Sequence, residues 1–131
     1  MVKLKYLLDT NICIYLMKEN PEQVIARFAK CKVGEVALSA VTWAELCCGL
    51  NKHNSDDQMM QLFEMLSPRD FGIEAAEIFG MLSQKFPNRK SSFDRMIAAH
   101  ALALKVILVT NNVADFEIYK DAGLKIENWA A

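Results

Sequence analysis

Two short apolar runs, Tyr6-Leu7-Leu8 and Val106-Ile107-Leu108-Val109, each give way to a polar segment that carries a carboxylate, Asp9 in the first case and Asp115 in the second. Runs of this length, bounded by turn-forming residues, read as buried strands. Val36-Ala37-Leu38-Ser39 after Gly34, and Leu124-Lys125-Ile126 near the end, read as two more, with a further short strand expected at Asp70-Phe71. Helical patterns separate them. One runs through Ile12 to Met17, capped by Thr10 or Asn11, and one follows Pro21 with Ile25, Phe28 and Ala29 on a single face. Another carries Trp43 and Glu45 and ends near Gly49, and Gln58 to Leu66 follows the polar connection Asn51 to Asp57. The last two present Ala75, Ile78, Phe79 and Leu82, and run from Ser92 or Phe93 to Leu104. Strands alternating with helices specify a three-layer α/β/α sandwich with a mainly parallel central sheet. In such sheets ligands bind beyond the carboxyl ends of the strands, where Asp9 and Asp115 are expected.

Two further acids occupy apolar helical stripes. Glu45 is in phase with Val41, Ala44 and Cys48, and Asp94 with Ile97, Ala98 and Ala101, so both are expected to turn inward. Carboxylates gathered at one pole of a fold repel one another unless a cation lies among them. A hard divalent ion, Mg2+ or Mn2+, suits an all-oxygen ligand set and keeps waters of its own. Any one of these acids alone reads as a solvated side chain or salt-bridge partner, and Asp115 alone is read that way. Asp9, Glu45 and Asp94 together are not, because the neighbouring helical slots are apolar and offer no base.

The 131 residues fit one domain, 1–131. Charges interrupt every apolar run, so no window has the character of a membrane span or secretory leader, and a cytoplasmic location is expected. A formal net charge of -1 gives no global basic footprint, so contact with nucleic acid has to be local. Lys85, Arg89, Lys90 and Arg95 surround the loop Phe86 to Ser92 and supply such a patch: a solvated face on one reading, a guide for a phosphate backbone on the other. Cys13, Cys31, Cys47 and Cys48 lack the spacing of a zinc site or redox dithiol and are expected as buried thiols. His100 lies off the Asp94 stripe and reads as structural, and His53 falls in a polar loop. Trp43 reads as core, and the surplus of apolar residues in Gln58 to Leu66 suits burial on more than one side or a partner surface.

The motifs Leu7-Leu8-Asp9-Thr10-Asn11, Trp43-Ala44-Glu45-Leu46, Asp94-Arg95-Met96-Ile97-Ala98-Ala99-His100-Ala101-Leu102 and Val109-Thr110-Asn111-Asn112 running to Asp115-Phe116 span nearly the whole chain. In identity and order they resemble those of PIN-domain ribonucleases of the VapC type, the toxins of bacterial toxin-antitoxin pairs. The resemblance implies Mg2+- or Mn2+-dependent endonucleolytic cleavage of cellular RNA, transfer RNA included, by water attack on a phosphodiester. It implies Asp9, Glu45 and Asp94 as the acidic triad and Asp115 as the more variable fourth acid, which some relatives carry nearer the place of Asn112. It further implies inhibition by a VapB-type antitoxin and a homodimer. Asn11, Thr110 and Asn112 lie in these motifs and are candidates for substrate contact, Asn11 and Thr110 being equally readable as helix caps. Ser91-Ser92-Phe93 stands where many relatives have a glycine. Two alternatives stay open. An Asp ending the first strand also begins haloacid-dehalogenase-like phosphohydrolases, with Asp9 as nucleophile, although Asn11 stands where those enzymes place a second Asp. A catalytically inactive PIN domain that only binds a partner is the other.

Overall fold

The computed structural model describes residues 2–50, 56–87 and 92–131. Its four strands are β1 (Tyr6–Leu8), β2 (Val36–Leu38), β3 (Ile107–Val109) and β4 (Ile126–Glu127). The helices are α1 (Thr10–Lys18), α2 (Glu22–Ala29), α3 (Ala40–Leu50), α4 (Asp56–Leu66), α5 (Ile73–Lys85), α6 (Ser92–Leu104) and the short α7 (Val113–Phe116), followed by a 3-10 segment over Glu117–Ala122. All strand pairs are parallel and the order is β2-β1-β3-β4, with Leu8 opposite Leu38 on one side and Val109 on the other. Parallel pairing demands crossover connections, and the intervening helices supply them.

The two-residue period of β1 divides the core. Leu7, Ala37 and Leu108 pack with Ile97, Ala98, Ala101, Phe116 and Tyr119 on one face of the sheet. Leu8, Leu38 and Val109 pack with Ile12, Leu16, Val24, Leu62 and Trp129 on the other. A one-residue slip would exchange these two sets, so the register is tightly specified. The expected three-layer sandwich is therefore present.

Local departures have identifiable causes. Asp70-Phe71 forms no strand; the chain makes only an isolated parallel bridge between Ser39 and Arg69 before α5 begins. The last strand is Ile126–Glu127 rather than Leu124-Lys125-Ile126, because Leu124 is drawn into the core beside Tyr119 and its N–H donates to the Tyr119 carbonyl. Of the cysteines only Cys13 is buried, while Cys47 and Cys48 are exposed on the outer side of α3. The surplus apolar residues of α4 are divided: Met59, Leu62 and Leu66 are buried, whereas Met60, Phe63 and Met65 are exposed. Trp43 is half-buried and meets Phe63 edge-on at 5.3 Å. His100 is buried, with Nδ1 2.7 Å from the Ser39 hydroxyl, the structural role expected of it. His53, Arg89 and Lys90 lie outside the described residues, as does most of the polar connection at 51–57. Among the described residues no helix is long and apolar enough to cross a membrane.

Candidate active site

Asp9 follows the last residue of β1 directly. Its backbone N–H continues the sheet ladder by donating to the Val109 carbonyl at 2.9 Å, and its side chain caps α1 by accepting from the Thr10 N–H at 2.6 Å. The cap is thus Asp9 itself, neither Thr10 nor Asn11. Short polar side chains serve in this position because they satisfy an otherwise unpaired donor of the first turn. Asn11 sits within that first turn, half-buried.

The other carboxylate oxygen of Asp9 accepts from the hydroxyl of Thr110, at the end of β3, at 2.7 Å. Thr110 is fully buried, and its hydroxyl oxygen in turn accepts from the Asn112 N–H at 2.9 Å. Thr10 connects the cluster to α3 by donating its hydroxyl to Glu45 at 2.8 Å. Two threonines, one at the end of each central strand or just beyond, therefore fix two carboxylates. From the sequence Thr10 reads as a cap and Thr110 as a cap or a substrate contact; the geometry makes both of them donors to the acids.

Glu45 is half-buried, and its helical stripe differs from the one expected. Val41 is buried, but Ala44 and Cys48 face outward. Glu45 therefore stands at the margin of the buried side of α3, oriented by Thr10. Asp94 lies half-buried in the first turn of α6, and α6 packs against both α3 and α7, the helices that carry Glu45 and Asp115. Asp115 and Asn112 are exposed at the rim.

Electrostatics distinguish these acids from ordinary surface carboxylates. Burial drives the Asp9 pKa above its usual value, the charge of Asp115 pushes in the same direction, and the bonds from Thr110 and Thr10 oppose them. Glu45 is likewise raised, first by burial and then by the charge of Asp9, against the Thr10 hydrogen bond. Among the described residues no Lys, Arg or His forms an ion pair with either acid. An oxygen-only set short of positive charge is chemically matched to a hard cation. Among the described residues no group of three or more Asp, Glu, His or Cys side chains stands close enough to hold a metal ion; the structure joins two acids, Asp9 and Glu45, through Thr10.

The basic cluster expected around the loop divides. Lys85 is exposed at the end of α5, with its ammonium 5.4 Å from the centre of the Phe86 ring. Arg95 does not belong to that face. It is buried, donates to the Ser83 hydroxyl at 3.1 Å and to the Phe86 carbonyl at 2.8 Å, and lies over the Phe79 ring. Proximity in sequence could not show that its position on α6 turns toward α5.

Fold and site define an α/β protein with a buried and a half-buried acid, Asp9 and Glu45, joined through Thr10 beyond the carboxyl edge of a parallel sheet. A PIN domain model matches residues 6–120. The chain is 34% identical to the tRNA(fMet)-specific endonuclease VapC of Shigella flexneri, over 97% of this chain and 99% of that one. It is also 34% identical to ribonuclease VapC2 of Haemophilus influenzae, over 96% and 98%. Among solved structures it is similar to a chain of VapBC2 from Rickettsia felis bound to a promoter DNA fragment, with a TM-score of 0.85, 28% identity and coverage of 96% and 99%. DNA-bound VapBC from Salmonella typhimurium gives a TM-score of 0.80 at 32% identity, covering 97% and 99%. The chain belongs to the PIN-domain family, among its VapC-type ribonucleases. This membership displaces the haloacid-dehalogenase alternative.

Proposed function

We propose that this protein is a metal-dependent endoribonuclease toxin whose cleft hydrolyses RNA phosphodiesters and is held in check by a cognate antitoxin. The observation that carries the chemistry is the pair Asp9 and Glu45, fixed by Thr110 and Thr10 at the ends of the central strands and forming no ion pair among the described residues. Asp9, Glu45 and Asp94 would hold Mg2+ or Mn2+, with Asp115 at the rim. A bound ion of this type lowers the pKa of a water and offsets charge developing on the leaving oxygen.

The chain's own residues have separable tasks. Thr110 fixes the rotamer of Asp9, and Thr10 holds Asp9 and Glu45 in one geometry through its N–H and hydroxyl. Exposed Asn112, with Asn11 in the first turn of α1, lies where the substrate enters. Exposed Lys85 serves to guide the phosphate backbone, the task its sequence neighbours Arg89 and Lys90, outside the described residues, are also assigned. The Shigella relative is named for tRNA(fMet), which makes initiator transfer RNA the first substrate to test. Complexes named VapBC among the structural neighbours support a VapB-type antitoxin as partner. The exposed apolar residues of α4 offer protein contact area for that partner or for a second copy in a homodimer. A cytoplasmic site of action follows from the substrate.

The test is cleavage of initiator transfer RNA by purified, antitoxin-free protein with Mg2+, Mn2+ or EDTA. Cleavage that requires the metal and leaves 5'-phosphate and 3'-hydroxyl ends is expected. Activity that survives EDTA, or 2',3'-cyclic phosphate ends, would overturn the mechanism, and no cleavage under any condition would leave a partner-binding domain without catalysis.

A further inference from the structure

At the opposite pole of the sheet, where β1, β3 and β4 begin, lies an open groove of about 460 Å³. Its floor is aliphatic, with Leu102 and Val106 prominent, and its rim carries Lys3, Lys5, Lys105 and Lys125. Among the described residues no Asp or Glu lines it. Lys5 is paired with Glu35 at 2.9 Å, but Lys3, Lys105 and Lys125 are exposed and form no ion pair among the described residues. A chain with a net charge of -1 thus concentrates three uncompensated cations in one concavity. Ordinary solvated surfaces intersperse the two signs.

Lys105 follows the last residue of α6 in the left-handed region, with φ +59°, as Glu19 and Ser67 do elsewhere. Its side chain joins the rim.

We infer that this groove is a second RNA-binding site, which holds phosphates of the substrate at a distance from the scissile bond. The inference rests on the ribonuclease reading. About four residues of extended chain separate Lys5 from Asp9, some 13 Å through the molecule, and a path around the surface is longer still. A folded RNA can engage both poles, whereas a short oligonucleotide reaches only the cleft. The groove therefore contributes to the choice of large substrates and leaves the chemistry untouched.

The experiment uses the full chain with Lys3→Gln, Lys105→Gln and Lys125→Gln combined, against a control with Lys30→Gln, Lys32→Gln and Lys120→Gln that removes the same charge elsewhere. Binding of fluorescent transfer RNA is followed by anisotropy in EDTA at several salt concentrations, and cleavage is then measured with metal. For three lost phosphate contacts the slope of log affinity against log salt should shrink by about 2. KM for transfer RNA should rise with kcat unchanged, and kinetics on a short oligoribonucleotide should not move. Lys105→Gly alone should lose about a third of the slope change while folding at least as well, which removes misfolding as an explanation. A triple variant that matches the control in slope and KM would overturn the inference and point to another anion, such as an acidic polypeptide. Absence of cleavage by the parent would defeat the ribonuclease reading, while the anisotropy series would still report on the groove.

Discussion

Replacing Thr110 with valine removes one oxygen from the centre of the site and keeps the shape almost constant. The hydroxyl is fully buried, donates to Asp9 at 2.7 Å and accepts from the Asn112 N–H at 2.9 Å, so its loss unmakes two hydrogen bonds. A bond to a charged group contributes about 1.5–3 kcal/mol and an ordinary one about 1 kcal/mol, against which the new methyl regains less than about 1 kcal/mol. Thr110→Val should therefore destabilise the metal-free protein by about 2–3 kcal/mol. For a chain of this size that corresponds to a fall in Tm of about 6–10 °C. Urea unfolding in EDTA measures it, with Thr110→Ser as the companion that keeps the hydroxyl and loses only a buried methyl, costing about 1 kcal/mol. In an Asp9→Asn background the valine should cost only about 1 kcal/mol, since the charged acceptor is already gone, and the difference is the coupling energy of the pair. A valine variant as stable as the serine variant, or equal costs in both backgrounds, would show that the Thr110–Asp9 bond does not hold the site together.

Asp9→Asn should abolish RNA cleavage while leaving the metal-free protein as stable as the parent or more so, because the carboxylate whose pKa burial raises is replaced by a neutral group of equal size; unimpaired cleavage would contradict its assignment as a metal ligand. Glu45→Gln should behave alike in cleavage, whereas exposed Asp115→Asn should be milder, and single-turnover rates rank the three. His100 is held below its ordinary pKa by burial and by the nearby charge of Arg69, partly offset by a backbone bond at Asp70, so the fold prefers the neutral ring. As pH falls through the unfolded-state value of 6.5 the unfolded chain takes up a proton first, and stability should decline toward the folded-state pKa with a slope of up to about 1.4 kcal/mol per pH unit. His100→Gln should lower stability at neutral pH yet flatten that slope in denaturant titrations, and an unchanged slope would assign the acid sensitivity to other groups.

The strands and the acids at their ends were legible because both signals are local. An apolar run that stops at Asp9 leaves little choice about where the carboxylate stands, and the alternation of strands and helices determines the layers. What could not be read depends on rotation about helix axes and on partners distant in sequence. Arg95 has the composition of a phosphate-binding residue, yet its position on α6 turns it to Ser83 and Phe86. The apolar periodicity around Glu45 suggested a deeper setting than the half-buried one observed, because Ala44 and Cys48 are small and tolerate solvent. Thr10 reads in the sequence as a cap and Thr110 as a cap or substrate contact, since nothing in a linear sequence says that the one faces Glu45 and the other Asp9. Asp70-Phe71 reads as a short strand in the sequence, but the pairing there stops at a single bridge, Ser39 to Arg69.

The ladder bond from Asp9 to Val109 has a mechanical consequence. With its N–H committed to β3 and its side chain to α1 and Thr110, Asp9 is part of the sheet itself and does not ride on a loop. Such a centre has little slack with which to disarm itself: displacing the carboxylate means unmaking its bonds to the Thr10 N–H and the buried Thr110 hydroxyl. Control from inside the fold would cost much of its stability, so restraint has to come from outside, as a shutter laid over the cleft. Amide hydrogen exchange at Asp9 should accordingly be as slow with the antitoxin removed as with it bound, the toxin being a blade that is sheathed without ever being folded away.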